Sequence, residues 1–141
     1  MTELEYLLRE YNFPRRTAKS KMSIEDIEKK IGFLLPDDYK FYLNNYTAHE
    51  GIIGSQYAAF WDMDNVVNLN ENYQILQYLP STIAIGSNMG GEFIAIEVVA
   101  ENIYRIILSP FIGLEKEYHI EIGDSFTNLF VRLNNGQGWF A

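Results

Sequence analysis

The chain has no cysteine, so neither a disulfide nor a thiolate metal site can hold it together. That composition suits a reducing, cytoplasmic setting. It has two histidines, His49 and His119, which are too few for a histidine metal cluster and offer no Ser-His-Asp arrangement. Both are read as surface or structural residues. No apolar run approaches the length of a membrane span. The opening MTELEYLLREYNF has no basic region leading into an apolar one, so no signal peptide is expected. Basic residues are also scarce: 11 Lys and Arg stand against 19 Asp and Glu, a net charge of −8. A nucleic-acid partner needs a basic face to meet phosphates, and this charge argues against one. A membrane partner is not expected either.

What the chain does have is a core. Hydrophobic residues make up 48% of its 141 residues, with ten Tyr and nine Phe, which fits one folded domain spanning 1–141. The charge is uneven. Residues 14–21, PRRTAKSK, hold Arg15, Arg16, Lys19 and Lys21 and no acid, and read as an exposed linker. Taking those four from the eleven bases leaves seven against nineteen acids, a net of −12 over the remainder. Such a field favours solubility and speeds encounter with a basic partner.

The organising stretch is Ser81–Val98, STIAIGSNMGGEFIAIEV. Ile83 and Ile85, then Ile94, Ile96 and Val98, repeat at period two around a glycine-rich turn, which predicts a hairpin with a longer loop or a bulge. The absence of charge in Ile94-Ala95-Ile96 places these strands in the middle of a sheet. Gly86, Gly90 and Gly91 are expected to supply positive φ, and Asn88 tolerates it. The turn Asn88–Glu92 also offers backbone amides, but its pattern is not that of a phosphate loop. A third strand is expected over Ile103–Leu108 and a peripheral strand or connector over Glu115–Ile122.

Helices frame these strands. Leu4, Leu7, Leu8 and Tyr11 form one stripe over Thr2–Tyr11. Ser23 with Asp26 approximates a capping box, followed by Ile24, Ile27 and Ile31 and a terminating Gly32. A third helix is predicted to start at Pro36 as its first residue, with Tyr39, Tyr42, Leu43 and Tyr46 inward. His49-Glu50 is placed in the loop that follows. Tyr57–Trp61 reads as a strand. Asp62 caps a short helix with Met63, Val66 and Val67 inward, and Asn68–Asn72 is expected to unwind. Tyr73–Leu79 is helical or irregular. Ser125 or Asp124 caps a last helix bearing Phe126, Leu129, Phe130 and Leu133, and Trp139 and Phe140 are expected to fold back on the core. The sum is an α+β domain with a mainly antiparallel sheet flanked by N- and C-terminal helices.

Four blocks, in order, resemble the SUKH superfamily, which includes eukaryotic Smi/Knr-type cell-wall regulators and many bacterial toxin-immunity proteins. They are SIEDIEKKIGFLLPDDYKFYL over 23–43, FWDMDNVVNLNENY over 60–73, IAIGSNMGGEFIAIEV over 83–98 and IGDSFTNLFVRL over 122–133. The match is strongest over 23–133. It departs after the third helix, where Asn44-Asn45-Tyr46 runs on to His49-Glu50-Gly51 in place of an Asn-Gly-Gly turn. The resemblance implies no known catalysis; no cofactor and no metal are expected. For bacterial members it implies neutralisation of a toxin by direct binding; the alternative is a regulatory or scaffold module for an endogenous protein. The charge suits a basic, nuclease-like toxin. The candidate partner-binding acids are Glu50, Asp62, Asp64, Glu92 and Glu97, with Tyr57 and Trp61 as aromatic anchors; each also has a structural reading, as a cap, a solvated strand position or core. A carboxylate pair for acid–base chemistry is disfavoured, since residues 92 and 97 point to opposite faces of a regular strand.

Overall fold

A computed structural model describes residues 1–140. Six strands form one antiparallel sheet in chain order: β1 (His49–Ile53), β2 (Gln56–Phe60), β3 (Thr82–Ser87), β4 (Glu92–Ala100), β5 (Ile103–Pro110) and β6 (Ile120–Gly123). The expected central hairpin is β3–β4, the middle pair, and β5 follows as the next strand. The bulge expected in the hairpin lies between Ala84 and Gly86.

Six helices accompany the sheet: α1 (Glu3–Glu10), α2 (Ile24–Ile31), α3 (Asp37–Asn45), α4 (Met63–Asn72), α5 (Ile75–Tyr78) and α6 (Phe126–Asn134). The caps follow the sequence. Thr2, Asp62 and Ser125 each accept a backbone N–H of the first turn, and Ser23 and Asp26 form a complete capping box. Pro36 stands one residue outside α3, as its cap, because the helix begins at Asp37. Among the described residues no helix is long and apolar enough to cross a membrane.

The inner face of the sheet carries the main core. Phe60, Phe126 and Phe130 pack on one another with centroids 5.1–6.0 Å apart, and Phe13, Tyr39 and Tyr42 close round them. These edge-to-face and stacked contacts add to the burial of large rings. Helix α6 touches both edge strands, β1 and β6, so the sheet curls round it. The outer face has a smaller core of Ile75, Leu79, Ala84, Phe93, Ala95 and Ile107, covered by α5 and by Phe111 and Leu114 of the β5–β6 connection.

Four sequence expectations are corrected here. Asn68–Asn72 does not unwind: α4 continues through it because Asn70 has a buried partner. Strand β2 meets β3 only at Ala59–Ser87 and Phe60–Gly86, leaving the Ala84 edge of β3 without a neighbouring strand. The Asn70 amide replaces that strand, accepting from Ala84 N and donating to Ala84 O, each at 2.8 Å. Second, His49-Glu50 belongs to β1, not to a loop, since it pairs with Ala59 and Phe60. Third, the basic stretch is not simply an exposed linker. Arg16 is half-buried, donating to Leu43 O, Tyr46 O and Asp62, where its ion pair measures 2.6 Å. Fourth, Trp139 folds back and is buried, but Phe140 stays exposed.

The glycines of the hairpin also differ from expectation. The positive φ falls on Met89 and Gly91, not on Asn88, Gly86 or Gly90. Gly86 is required for another reason: a Cβ there would collide with the Ala59 carbonyl of the adjoining strand.

Phe130→Ala should destabilise the fold by about 3–5 kcal/mol through lost burial and a cavity among the rings. Asn70→Ala should cost about 1–3 kcal/mol for each of the two Ala84 backbone groups it strands. Denaturant melts check both, and a loss below about 1 kcal/mol in either would contradict the role given to that residue.

Candidate functional site

The seven candidate residues do not form one site. Three are bound up in structural contacts. Asp62 caps α4 and pairs with Arg16. Asp64 accepts the backbone N–H groups of Met22 and Lys21 at 3.0 and 2.9 Å, and those bonds, Met22's foremost, hold its carboxyl below the usual aspartate range. The two aspartates thus fasten the basic stretch to the start of α4.

Glu97 is the most enclosed, only 4% exposed on β4. Its strand partner Arg105 donates through Nε at 2.6 Å, and the fully enclosed His119 ring meets its other oxygen through Nδ1 at 2.8 Å. An ionised carboxylate only accepts, so Nδ1 carries the proton and Nε2 is left without a partner among the described residues. Burial alone would raise the Glu97 pKa. The hydrogen bonds from Arg105 and His119 outweigh it and hold the group below its usual value. This cluster pins the β5–β6 connection to the outer face of the sheet; His119 is structural, as the sequence suggested.

Of the other four, Glu50, Tyr57 and Trp61 lie on or just past the edge hairpin β1–β2, and Glu92 opens β4. Alternation along β1 and β2 sends Ile53, Ala58 and Phe60 inward and Glu50, Ile52 and Tyr57 outward. Glu50 and Tyr57 are brought together: the Tyr57 hydroxyl donates to Glu50 Oε2, and this bond is the main cause of a raised Tyr57 pKa. Trp61, just past β2, packs partly against both cores and is partly exposed. Glu92, at the base of the hairpin turn, accepts from the Asn88 amide at 2.8 Å. Glu92 and Glu97 lie on opposite faces of β4, as their spacing requires.

Glu50 and Trp61 share a groove of about 340 Å³ with Ala48, His49, Ala59, Phe60 and Met89. Burial against Phe13 lowers the His49 pKa and disfavours its charged form. Met89, Ala59 and Ile52 were missed by the sequence reading. Period two across the Gly54-Ser55 turn would have placed Ile52 beside Tyr57, but only the pairing of β2 with β3 brings Met89 to them.

Among the described residues no group of three or more His, Asp or Glu could hold a metal ion. Fold and surface together define an α+β domain with most of its helices gathered on one face of a curled antiparallel sheet. The model of the SMI1 / KNR4 family (SUKH-1) matches residues 20–132, and the chain belongs to that family. No curated protein matches the chain.

The Glu97 cluster has a pH signature. Because the folded-state pKa is lowered, its contribution is fully present above the unfolded value of about 4.5 and is lost as pH falls through the folded one. Glu97→Gln breaks a buried pair whose arginine is partly solvated, so the loss at pH 7 should fall at the low end of about 3–5 kcal/mol. The gap between variant and wild type should narrow below pH ~4.5. Urea melts at pH 7 and pH 3 measure it; a gap independent of pH would show that the carboxylate's charge is not what matters.

Proposed function

We propose that the protein is a non-catalytic, cytoplasmic immunity protein that neutralises a basic, nuclease-like toxin domain by direct binding. Membership of the SMI1 / KNR4 family (SUKH-1) carries this reading. The excess of acid supports it, because an enzyme that acts on nucleic acid carries a positive groove which an acidic surface complements. Neutralisation by occlusion asks for no reactive group of its own, only for a surface that fits. Of the candidate contacts, Glu50, Tyr57, Trp61 and Glu92 have the accessibility this requires. Asp62, Asp64 and Glu97 would act mainly by holding the surface in shape.

The test looks for a toxin domain encoded beside the gene and pairs it with the purified chain; an isolated gene would favour a regulatory module. Stoichiometric inhibition of the toxin's nuclease activity is expected, together with a stable complex by calorimetry. Raising salt from about 50 to 500 mM should slow association at least about tenfold, since the attraction is long-range and screened. A complex that forms without inhibiting the toxin would favour a regulatory module instead. An association rate insensitive to salt would leave the negative field as a solubility feature.

A further inference from the structure

The outer face of the sheet is covered unevenly. Over β3–β5 it lies beneath α5, Phe111 and Leu114. Over β1–β2 it is open: Ile52 and Tyr57, paired across the strands, are 65% and 41% exposed. Beside them is the groove lined by Glu50, Trp61 and Met89. We propose that this open end receives a cationic, aliphatic-rich segment of a protein partner. A Lys or Arg pairs with Glu50, and its methylenes lie against Trp61 and Met89. The proposal rests on the protein-binding reading above and names the surface and the chemistry of the contact.

Charge complementarity selects this occupant. From residue 41 to 104 the chain contains no Lys or Arg, while Glu50, Glu71, Glu92 and Glu101 all lie in that span. Among the described residues the groove is lined by one acid, Glu50, and by no Lys or Arg, and burial disfavours the charged form of His49. An acidic peptide or a nucleic acid would meet like charge with nothing to offset it. A cation meets a carboxylate whose Oε2 is already held by Tyr57, leaving Oε1 for the guest. That hydrogen bond fixes the Glu50 rotamer before binding and reduces the entropy lost on association. The Trp61 ring face adds cation–π attraction, and an Arg stem suits a Met-lined apolar wall.

The far wall is also set in advance. Met89 is in the left-handed region, at φ 59°, and its side chain is 63% exposed. Ser87 Oγ accepts from Met89 N at 3.3 Å, and Asn88 Oδ1 accepts from Gly90 N and Glu92 N at 2.9 and 3.2 Å. A non-glycine residue in that conformation is strained, and these bonds hold the turn in it. Ser87 Oγ also donates to the Met89 thioether at 3.4 Å, which fixes the side chain where it lines the groove.

The experiment is an amide NMR titration of the whole chain with the peptide acetyl-Lys-Leu-Arg-Leu-Lys-amide, and with its Glu-for-Lys/Arg counterpart. The cationic peptide should give saturable shifts at residues 48–61 and 88–90, and the anionic one none. Glu50→Lys should weaken binding at least tenfold, while Glu117→Lys, an exposed acid elsewhere, changes it less than twofold. Equal weakening by both reversals, or shifts spread over the whole acidic surface, would mean unspecific attraction and overturn the proposal. Unchanged thermal melts for both variants would confirm that folding is intact. The toxin assay separates the two readings. If wild type inhibits the toxin and Glu50→Lys inhibits it equally well, the groove is not the contact and the immunity reading stands. If wild type inhibits no toxin, the peptide titration still decides whether the groove takes a cationic segment.

Discussion

The packing of Phe126 and Phe130 into the hollow of the sheet is the constraint on which the rest depends. A flat six-stranded sheet would present its inner face to several helices side by side. Here α6 reaches both edges, and that is possible only if the sheet curls. The curl brings β2 against the end of β3 so tightly that position 86 has no room for a Cβ, and it carries β2 away from β3 at Ala84. The backbone groups left there are satisfied by Asn70, which couples α4 to the sheet. A bulge, a glycine and a buried asparagine thus answer one geometric demand.

The acidic residues divide according to what surrounds them. Asp62 and Asp64 lie at a helix start, where backbone N–H groups and Arg16 converge, and they secure a stretch that would otherwise repel itself. Glu97 stands in the middle of a strand row, where an ionised carboxylate is tolerable only because Arg105 and His119 close on it. Glu50 lies near the sheet edge with a tyrosine hydroxyl for a partner, and keeps most of its interaction capacity for something outside the chain. One net charge therefore conceals two kinds of carboxylate, those that hold the domain together and those that give it a field.

The elements were legible wherever a pattern is local. Ser23 and Asp26 announce α2, and the i, i+3, i+4, i+7 spacing of Phe126, Leu129, Phe130 and Leu133 announces α6. Alternating Ile residues announce β3 and β4. The errors fell where the deciding partner is distant in sequence. Asn68–Asn72 reads as a helix breaker until Ala84 is seen beside Asn70. His49-Glu50 reads as loop because a glycine follows it, and only the register with Ala59 and Phe60 makes it a strand. Arg16 reads as linker charge until Asp62, forty-six residues on, comes to meet it.

By itself the sequence determined the fold class, the caps, the inward stripes and the sign of the electrostatic field, because each depends on neighbouring residues or on composition alone. Tertiary structure decided which acids face outward and which are consumed by internal pairs, since that depends on what the other strands and helices bring within about 3 Å of each carboxylate. It also decided that Trp61, Glu50 and Met89 share a groove. Those three come from the end of β2, the edge strand and the hairpin tip, and nothing short of the curled sheet sets them side by side.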